Sequence, residues 1–262
     1  MKIKKFNEYT NINENKMWYK SISEFLNWLE NKSKMPFLLL DTETTGLKGP
    51  NQEQLTQISC VSFNYNYSTN SFNKIDDFDE KIKLTDDTKS KFNKKGDDTK
   101  FKLKFNKYGS GNYKYKNEKE VIDSFFNYIS EYSPCLLIAQ NAPFDMQMLG
   151  GRYKDKIKEE VFDTKMLSQL YFLPLIQKLA ETDNYYKNMV DNIGTSQRDN
   201  GLISSSMSKI GPALEIDMKG YHDALTDCFL MKEMMRKVVD ILKDNKHIDI
   251  SKYQIERIKT LR

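Results

Sequence analysis

The sequence predicts an α/β domain, and three observations lead to this fold class. Segments with the pattern of strands alternate along the chain with segments that have the pattern of amphipathic helices, as they do in α/β proteins. Two short apolar runs, at residues 36–40 and 135–139, are continuous rather than alternating, which indicates central strands buried on both faces. Acidic residues follow closely on both runs, near the carboxyl ends of strands, where open α/β sheets bind their ligands.

The elements of the first part of the chain follow in order. Residues 1–20 are polar and are expected to form an N-terminal arm before a single domain over residues 21–262. Ser21 and Glu24 have the spacing of a capping box, which opens a helix that ends before Pro36. Three strands are expected next, at residues 37–43, at 55–63 and between 71 and 84.

Residues 85–116 differ in kind, because lysines are interleaved there with phenylalanines and tyrosines. Alternation at residues 100–105 indicates a short strand with one solvated face. We interpret the segment as an insertion or hairpin at the edge of the domain. Two roles stay open for it: a solvated hairpin that covers the core, or a platform where lysines follow phosphates and aromatic rings stack on single-stranded bases.

The second part of the chain continues the alternation. Strands are expected at residues 136–139 and 161–162, and residues 184–201 have the composition of a loop. Helices are expected at residues 118–132 and 144–149, after Asp163-Thr164, at 207–214 and 223–243, and from 251 onward.

The composition is that of a soluble protein with a sizeable core. Of its 262 residues, 39% are hydrophobic and 30% are charged, and its apolar runs are far too short to cross a bilayer. The first residues lack the apolar centre of a signal peptide, so a cytoplasmic protein is expected. Cys60, Cys135 and Cys228 are widely separated and form no C-x-x-C pair, which predicts buried, reduced thiols.

Three acidic segments are the candidates for a functional site: Asp41-Thr42-Glu43, residues 141–145 and residues 222–227. Asp41 and Glu43 are two residues apart on a strand and therefore point to the same face. Clustered carboxylates repel one another unless a cation neutralises them, and oxygen ligands favour hard cations such as Mg²⁺ or Mn²⁺. A nearby histidine, whose unperturbed pKa is about 6.5, can accept a proton from an attacking water.

Each segment also has a structural alternative. Asp41 and Glu43 can simply end a strand in a polar turn, and Asp145 suits the first turn of a helix. The third segment can be an ordinary loop, a helix cap and a solvated helix residue. Two further acidic residues, Asp163 and Asp223, are better explained as N-caps than as ligands.

Taken in order, the three segments resemble the three motifs of the DnaQ-like DEDDh 3′–5′ exonucleases. That superfamily includes the epsilon proofreading subunit, ribonuclease T, oligoribonuclease and phage exonucleases such as DexA. Residues 41–47 (DTETTGL) are similar to the first motif, and residues 140–145 (QNAPFD) to the second, with Gln140 where many members have histidine. Residues 222–227 (HDALTD) match the H-x-A-x-x-D third motif. The ordered set is far more specific than any one motif.

The resemblance implies a ribonuclease-H-like fold, a mixed five-stranded sheet with helices on both faces. It implies that Asp41 bridges two divalent cations, Mg²⁺ or Mn²⁺. Glu43, Asp145 and Asp227 would complete the metal shells, and His222 would be the general base. Gln140 has no metal or proton role in this scheme.

The same resemblance implies a pocket for the 3′-terminal nucleotide. Leu47 would pack against its base. The other residues expected around the nucleotide are Thr42, Thr44, Thr45, Asn141 and Phe144.

The expected function is therefore metal-dependent exonucleolytic hydrolysis from the 3′ end of single-stranded DNA. One alternative is the same chemistry on RNA or short oligoribonucleotides, because discrimination depends on contacts to the 2′-OH that a sequence does not reveal. Another is a nucleic-acid-binding module that acts with a polymerase. The expected partner is nucleic acid with a free 3′ end, and no membrane association is expected. The expected location is the cytoplasm of a bacterium or of an infected host cell. The sequence names no polymerase partner.

Overall fold

A mixed five-stranded sheet forms the centre of the computed structural model, which describes residues 21–88, 114–150 and 157–261. The strands are β1 (Phe37–Thr44), β2 (Leu55–Asn66), β3 (Ser71–Lys81), β4 (Leu136–Ala139) and β5 (Glu160–Asp163). Their order across the sheet is β3-β2-β1-β4-β5. The β1–β2 and β2–β3 pairs are antiparallel, whereas β1, β4 and β5 run parallel. The expected ribonuclease-H-like sheet is confirmed.

Helices cover both faces of this sheet. They are α1 (Ile22–Lys32), α2 (Glu118–Glu131), α3 (Ala142–Gly150), α4 (Thr164–Leu167), α5 (Leu173–Leu179), α6 (Asn184–Ile193), α7 (Met207–Ala213), α8 (Ala224–Asp244) and α9 (Ser251–Leu261). A π-helical segment, Ser168–Phe172, joins α4 to α5. One hydrophobic cluster contains buried residues of α1, α5 and α8, and the second contains those of α2 and α3. Among the described residues, no helix is both long and apolar enough to span a bilayer.

Strand β1 supplies core residues to both clusters, which explains its unbroken apolar run. Phe37 and Leu39 belong to the cluster under α8, and Leu38 and Leu40 to the cluster under α3. Because side chains alternate along a strand, Asp41 and Glu43 follow Phe37 and Leu39 toward α8, and Thr42 points toward α3. The strand therefore delivers polar groups to both sides of the sheet at its carboxyl end.

Local signals set the helix starts that the sequence predicted. The Ser21 side chain accepts the Glu24 N–H and the Glu24 carboxylate accepts the Ser21 N–H, so the capping box is present. Asp163 and Asp223 are both N-caps, as expected, and accept the backbone N–H of Lys165 and of Thr226. Helix α3 begins two residues before the predicted start, because Pro143 fits a first helical turn, where its missing N–H costs nothing.

The prediction of a loop at residues 184–201 is wrong, because this segment contains helix α6 and a 3₁₀ turn, Gln197–Asp199. Asp183 caps α6, and the helix buries only a narrow stripe, with Met189 and Ile193 as its buried residues. Tyr186, Met189, Val190 and Ile193 have the i, i+3, i+4, i+7 spacing of an amphipathic helix, so the polar composition of the segment obscured a helical period that was present. Of the predicted insertion, residues 89–113 lie outside the described ranges, including the expected strand at 100–105. At its end, Lys116 bonds to Glu80 of β3.

The three cysteines are buried and free, as predicted. Burial raises the pKa of Cys60, Cys135 and Cys228, and only a thiolate reacts rapidly with disulfide reagents. We therefore expect Ellman's reagent to titrate no thiol of the folded protein within minutes, and three after denaturation in guanidinium chloride. Rapid reaction in native buffer would contradict the packing of these residues.

Candidate metal centre

Three of the predicted site residues meet at the carboxyl end of β1. Glu43 lies on the strand, Asp227 lies in the first turn of α8, and His222 lies in the loop that enters this helix. One ligand atom from each lies within 4.8 Å of the other two. The fold thereby makes neighbours of Glu43 and His222, which are 179 positions apart in the chain.

The other two predicted ligands act on the same region. Burial, followed by the charges of neighbours that include Asp41, Asp227 and Asp145, raises the pKa of the Cys228 thiol. Burial and then the charges of Asp227, Asp41 and Glu43 raise the pKa of Tyr221 to about 12. Asp41 lies on the same face of β1 as Glu43, so both carboxylates lie on the side of the sheet that carries α8. We refer to Asp41, Glu43 and Asp227 as the acidic cluster. Asp145 is linked to this strand through Thr42, and its place in a shared metal site stays a prediction.

Asp145 is fixed by a contact between the first two motifs. Its Oδ1 accepts the Thr42 backbone N–H at 3.0 Å and the Thr42 hydroxyl at 2.7 Å, and only 2% of the residue is exposed. Burial raises the pKa of Asp145 to about 7, although the two Thr42 bonds oppose this shift. The negative charge of Asp163 adds to the increase. A buried carboxylate that is costly to ionise is well prepared to receive a cation.

We expect Asp145→Asn to stabilise the metal-free protein at pH 8 but not at pH 4. The folded pKa of Asp145 is raised, so its contribution to stability is full below the unfolded pKa and is lost as pH rises through about 7. Asparagine keeps an oxygen for both Thr42 bonds and carries no charge, so the gain at pH 8 is on the order of 2–4 kcal/mol.

Urea unfolding of both proteins at pH 4 and pH 8, in EDTA, measures this difference. Mg²⁺ should reduce the difference in unfolding free energy between the two proteins at pH 8, because it should stabilise only the wild type. A ligand that binds the folded state adds to its stability. Equal unfolding free energies at pH 8 in EDTA would show that the Asp145 carboxylate is ionised there without strain.

His222 is held through its backbone. Its N–H donates to both carboxylate oxygens of Asp227, at 3.2 and 3.3 Å, and its φ of +76° is in the left-handed region. The imidazole is exposed and stacks on Tyr221, with ring centroids 4.0 Å apart. The bend at residues 220–223 thus presents the imidazole to solvent beside two of the carboxylates.

The loop after β1 places the first motif's remaining residues at the same edge of the sheet. The Thr44 hydroxyl donates to the Gly46 carbonyl at 2.7 Å, and the buried Thr45 hydroxyl donates to Glu53 at 2.8 Å. These bonds shape a turn whose tip carries Leu47, which is 77% exposed. An apolar side chain this exposed is available to pack against a ligand.

The second motif's remaining residues flank the same edge. Asn141 is exposed, with a φ of +64°, and its N–H donates to Asp163 at 2.9 Å. Phe144 is half-buried against the cluster under α3. Their contacts to a nucleotide, like those of Thr42, Thr44, Thr45 and Leu47, stay predictions.

Two polar residues of β2 lie beside the site and were missed by the sequence reasoning. Ser59 pairs with Asp41 and Gln57 pairs with Glu43 in the β1–β2 register, and both are buried. Their signal in the sequence is polar side chains at alternate positions of an otherwise apolar strand. Their meaning becomes visible only once the register is known.

The donor set fits a divalent cation. Carboxylate oxygens dominate it, a histidine lies at its rim, and the cluster is partly buried, where unneutralised like charges are costly. Hard divalent cations prefer such oxygens. The described residues that would hold the metal are Asp41, Glu43, Asp145 and Asp227.

The solved structures that are similar to this chain include three structures of two nucleases, all at low sequence identity. Two are E. coli exonuclease I, one the zinc-bound form of its complex with single-stranded DNA and one its complex with a dA16 oligonucleotide. Each is 16% identical, with TM-scores of 0.49 and 0.47, over 80% and 81% of this chain and 42% of that chain. The third is cell-death related nuclease 4, 13% identical with a TM-score of 0.40, over 79% of this chain and 64% of that one. This chain thus spans less than half the length of exonuclease I.

No curated protein sequence matches the chain. A family model does: the exonuclease domain of DNA polymerase family B matches residues 2–199. This range includes the first two motifs and ends before His222. The family match therefore does not cover the third motif. Exonucleases of this kind depend on a divalent metal, in agreement with the acidic cluster. The expected relationship to 3′–5′ exonucleases is confirmed: the chain belongs to the DNA polymerase family B exonuclease domain family.

Proposed function

We propose that this protein is a metal-dependent 3′–5′ exonuclease that hydrolyses phosphodiester bonds from the 3′ end of single-stranded DNA. We also propose that residues 21–262 form a single exonuclease domain. The observation that carries the proposal is the convergence of Glu43, His222 and Asp227 within 4.8 Å, in a chain of an exonuclease-domain family. Asp41 lies two residues before Glu43 on the same strand, and Asp145 is bonded to Thr42 between them.

Asp41, Glu43, Asp145 and Asp227 would hold two divalent cations, Mg²⁺ or Mn²⁺. Such ions, when bound, supply charge stabilisation at the phosphoryl oxygens and make a bound water more acidic. The protein contributes the fixed positions of its carboxylates. Thr42 contributes to this, because its two bonds to Oδ1 fix the buried Asp145 carboxylate against β1.

His222 would act as the general base. Its side chain lies beside Glu43 and Asp227 and is exposed, so it can accept a proton from water at the cluster and release it to bulk solvent. The backbone bonds from His222 to Asp227 keep the imidazole within reach of the same point.

Two features favour single-stranded DNA as the substrate. The exposed Leu47 offers an apolar surface at the rim of the site, and an unpaired terminal base can turn its face toward such a surface without breaking a base pair. The family is defined by DNA polymerases, which favours DNA over RNA.

The proposal is tested with end-labelled single-stranded DNA, double-stranded DNA and RNA of one sequence, incubated with Mg²⁺, Mn²⁺ or EDTA. We expect stepwise shortening from the 3′ end, fastest on single-stranded DNA and absent in EDTA. The matched control is Asp41→Asn, which keeps the side-chain shape and removes one negative charge. Faster cleavage of RNA would identify an exoribonuclease. Binding without cleavage in any metal would instead indicate a nucleic-acid-binding module that acts with a polymerase.

A further inference from the structure

Two rows of polar residues extend from the acidic cluster to the edge of the described sheet. The strand registers place Asp41, Ser59 and Asp79 side by side on β1, β2 and β3, and the next row is Glu43, Gln57 and Lys81. Residues paired across neighbouring strands share one face. Both rows therefore lie on the face that carries α8, and the predicted metal ligands are only their first members.

Gln57 is the centre of a hydrogen-bond network in these rows. Its Nε2 lies 2.8 Å from Asp79 Oδ1 and 3.4 Å from Asp223 Oδ2. The Ser59 hydroxyl oxygen also lies 3.3 Å from this nitrogen. The amide carries two hydrogens, which can serve the two carboxylates. Asp79 is itself fixed by the Ser59 hydroxyl at 2.6 Å, and only 5% of Gln57 is exposed.

Asp223 connects this network to the loop that carries His222. Its Oδ1 caps α8 by accepting the Thr226 N–H at 3.2 Å and the Thr226 hydroxyl at 3.1 Å. Its Oδ2 faces Gln57 and the Lys81 ammonium, the latter at 3.7 Å. One carboxylate thus both starts the helix and docks that start on the sheet. The residue directly before it is His222.

We propose that Gln57 is a positioning residue for His222, acting through Asp223. The His222 backbone has a φ of +76°, a conformation that persists only when its surroundings hold it. Asp227 holds the bend from one side through the His222 N–H, and Gln57 holds it from the other side through Asp223. Small displacements of a reacting group greatly reduce the rate of a reaction. This inference rests on the proposed role of His222 as general base.

Kinetics of Gln57→Met test the proposal, since methionine has a similar length and no hydrogen-bond donor. We expect kcat for single-stranded DNA to fall about tenfold with KM nearly unchanged, because the lost bond orients a reacting group and not the substrate. The matched control is Gln254→Met on α9, which removes another buried amide bond, to the Leu170 carbonyl at 2.7 Å. Its kcat should stay at the wild-type value.

A double-mutant cycle with His222→Ala separates positioning from a general structural effect. Once the imidazole is absent, Gln57→Met should change kcat by less than about twofold, since coupled residues lose their effect together. An undiminished tenfold loss in the His222→Ala background would overturn the proposal. If His222→Ala itself cleaves at the wild-type rate, the proposed base is wrong, which is a different result.

Imidazole NMR signals give a readout that does not depend on activity. The chain has two histidines, His222 and His247, so each can be assigned from one alanine variant. We expect Gln57→Met to shift or broaden the His222 signals and leave those of His247 unchanged, whereas Gln254→Met should alter neither. Unchanged His222 signals would overturn the proposal. If Gln57→Met fails to fold by circular dichroism, Gln57→Asn, whose amide is one methylene shorter, takes its place in each test.

Discussion

Replacing Asp41 or Asp227 with alanine should abolish DNA cleavage, with a loss of at least about 10³-fold in kcat, because each change removes a ligand whose cation stabilises charge in the transition state. Both variants should stay folded. Metal-free Asp41→Ala should be slightly more stable, since removing one charge relieves repulsion among the carboxylates, whereas Asp227→Ala also loses the acceptor of the His222 N–H and should not show that gain. Asp41 and Asp227 both act electrostatically on Tyr221 and Cys228, so either substitution reaches the same cluster.

Three measurements check this expectation: cleavage of end-labelled DNA, calorimetric titration with Mg²⁺, and thermal unfolding in EDTA. The matched control is Asp191→Ala, which removes an exposed carboxylate from α6 far along the chain from the three motifs. It should leave all three measurements unchanged. Near wild-type cleavage by Asp41→Ala or Asp227→Ala would contradict the assignment of the four carboxylates as metal ligands.

His222→Ala should lower kcat by about 10²–10⁴-fold, the range usual for a general base, with little change in affinity for DNA. Its effect is expected to be smaller than that of the ligand substitutions, because the bound cations would still act on the scissile phosphate. The matched control is His247→Ala, which removes the chain's other histidine from an exposed position beyond α8. Single-turnover cleavage and DNA binding in EDTA measure the two effects separately.

The pH dependence of cleavage should separate His222 from Asp145. Activity of the wild type should rise with pH, because only the neutral imidazole accepts a proton. The pKa of Asp145, raised to about 7 by burial, gives metal binding the same direction, since a protonated carboxyl is a poor ligand. Saturating Mg²⁺ should suppress the pH dependence that arises from Asp145 and leave the pH dependence that arises from His222. A flat profile that His222→Ala does not change would contradict the general-base role.

Local signals in the sequence are sufficient for much of the fold. The unbroken apolar run of β1, the capping box at Ser21 and the Asp223 cap each act within a few residues, so the elements they define could be predicted. Helix α6 was missed although Asp183 offers a cap and its apolar residues have a helical spacing, because the polar composition of the segment favoured a loop. Packing of Met189 and Ile193 in the core outweighs that composition.

The same distinction applies to the candidate site. The candidate ligands could be named because each belongs to a short motif, and the expectation that they converge follows from motifs placed near strand ends at one edge of a sheet. The bond between Thr42 and Asp145 joins residues 103 positions apart. The contact of Gln57 with Asp223 spans 166 positions and depends on the registers of two strand pairs. No pattern along the chain specifies such contacts.

The two hydrogen bonds from the His222 N–H to the Asp227 carboxylate have a consequence for how this chain can vary. These bonds and the Asp223 cap both span the first turn of α8. The number of residues between 222 and 227 is therefore fixed by the length of one helical turn. Side chains in this interval can be exchanged without altering that number, whereas an inserted or deleted residue would rotate Asp227 about 100° around α8, away from β1. An insertion or deletion between residues 222 and 227 should therefore abolish activity.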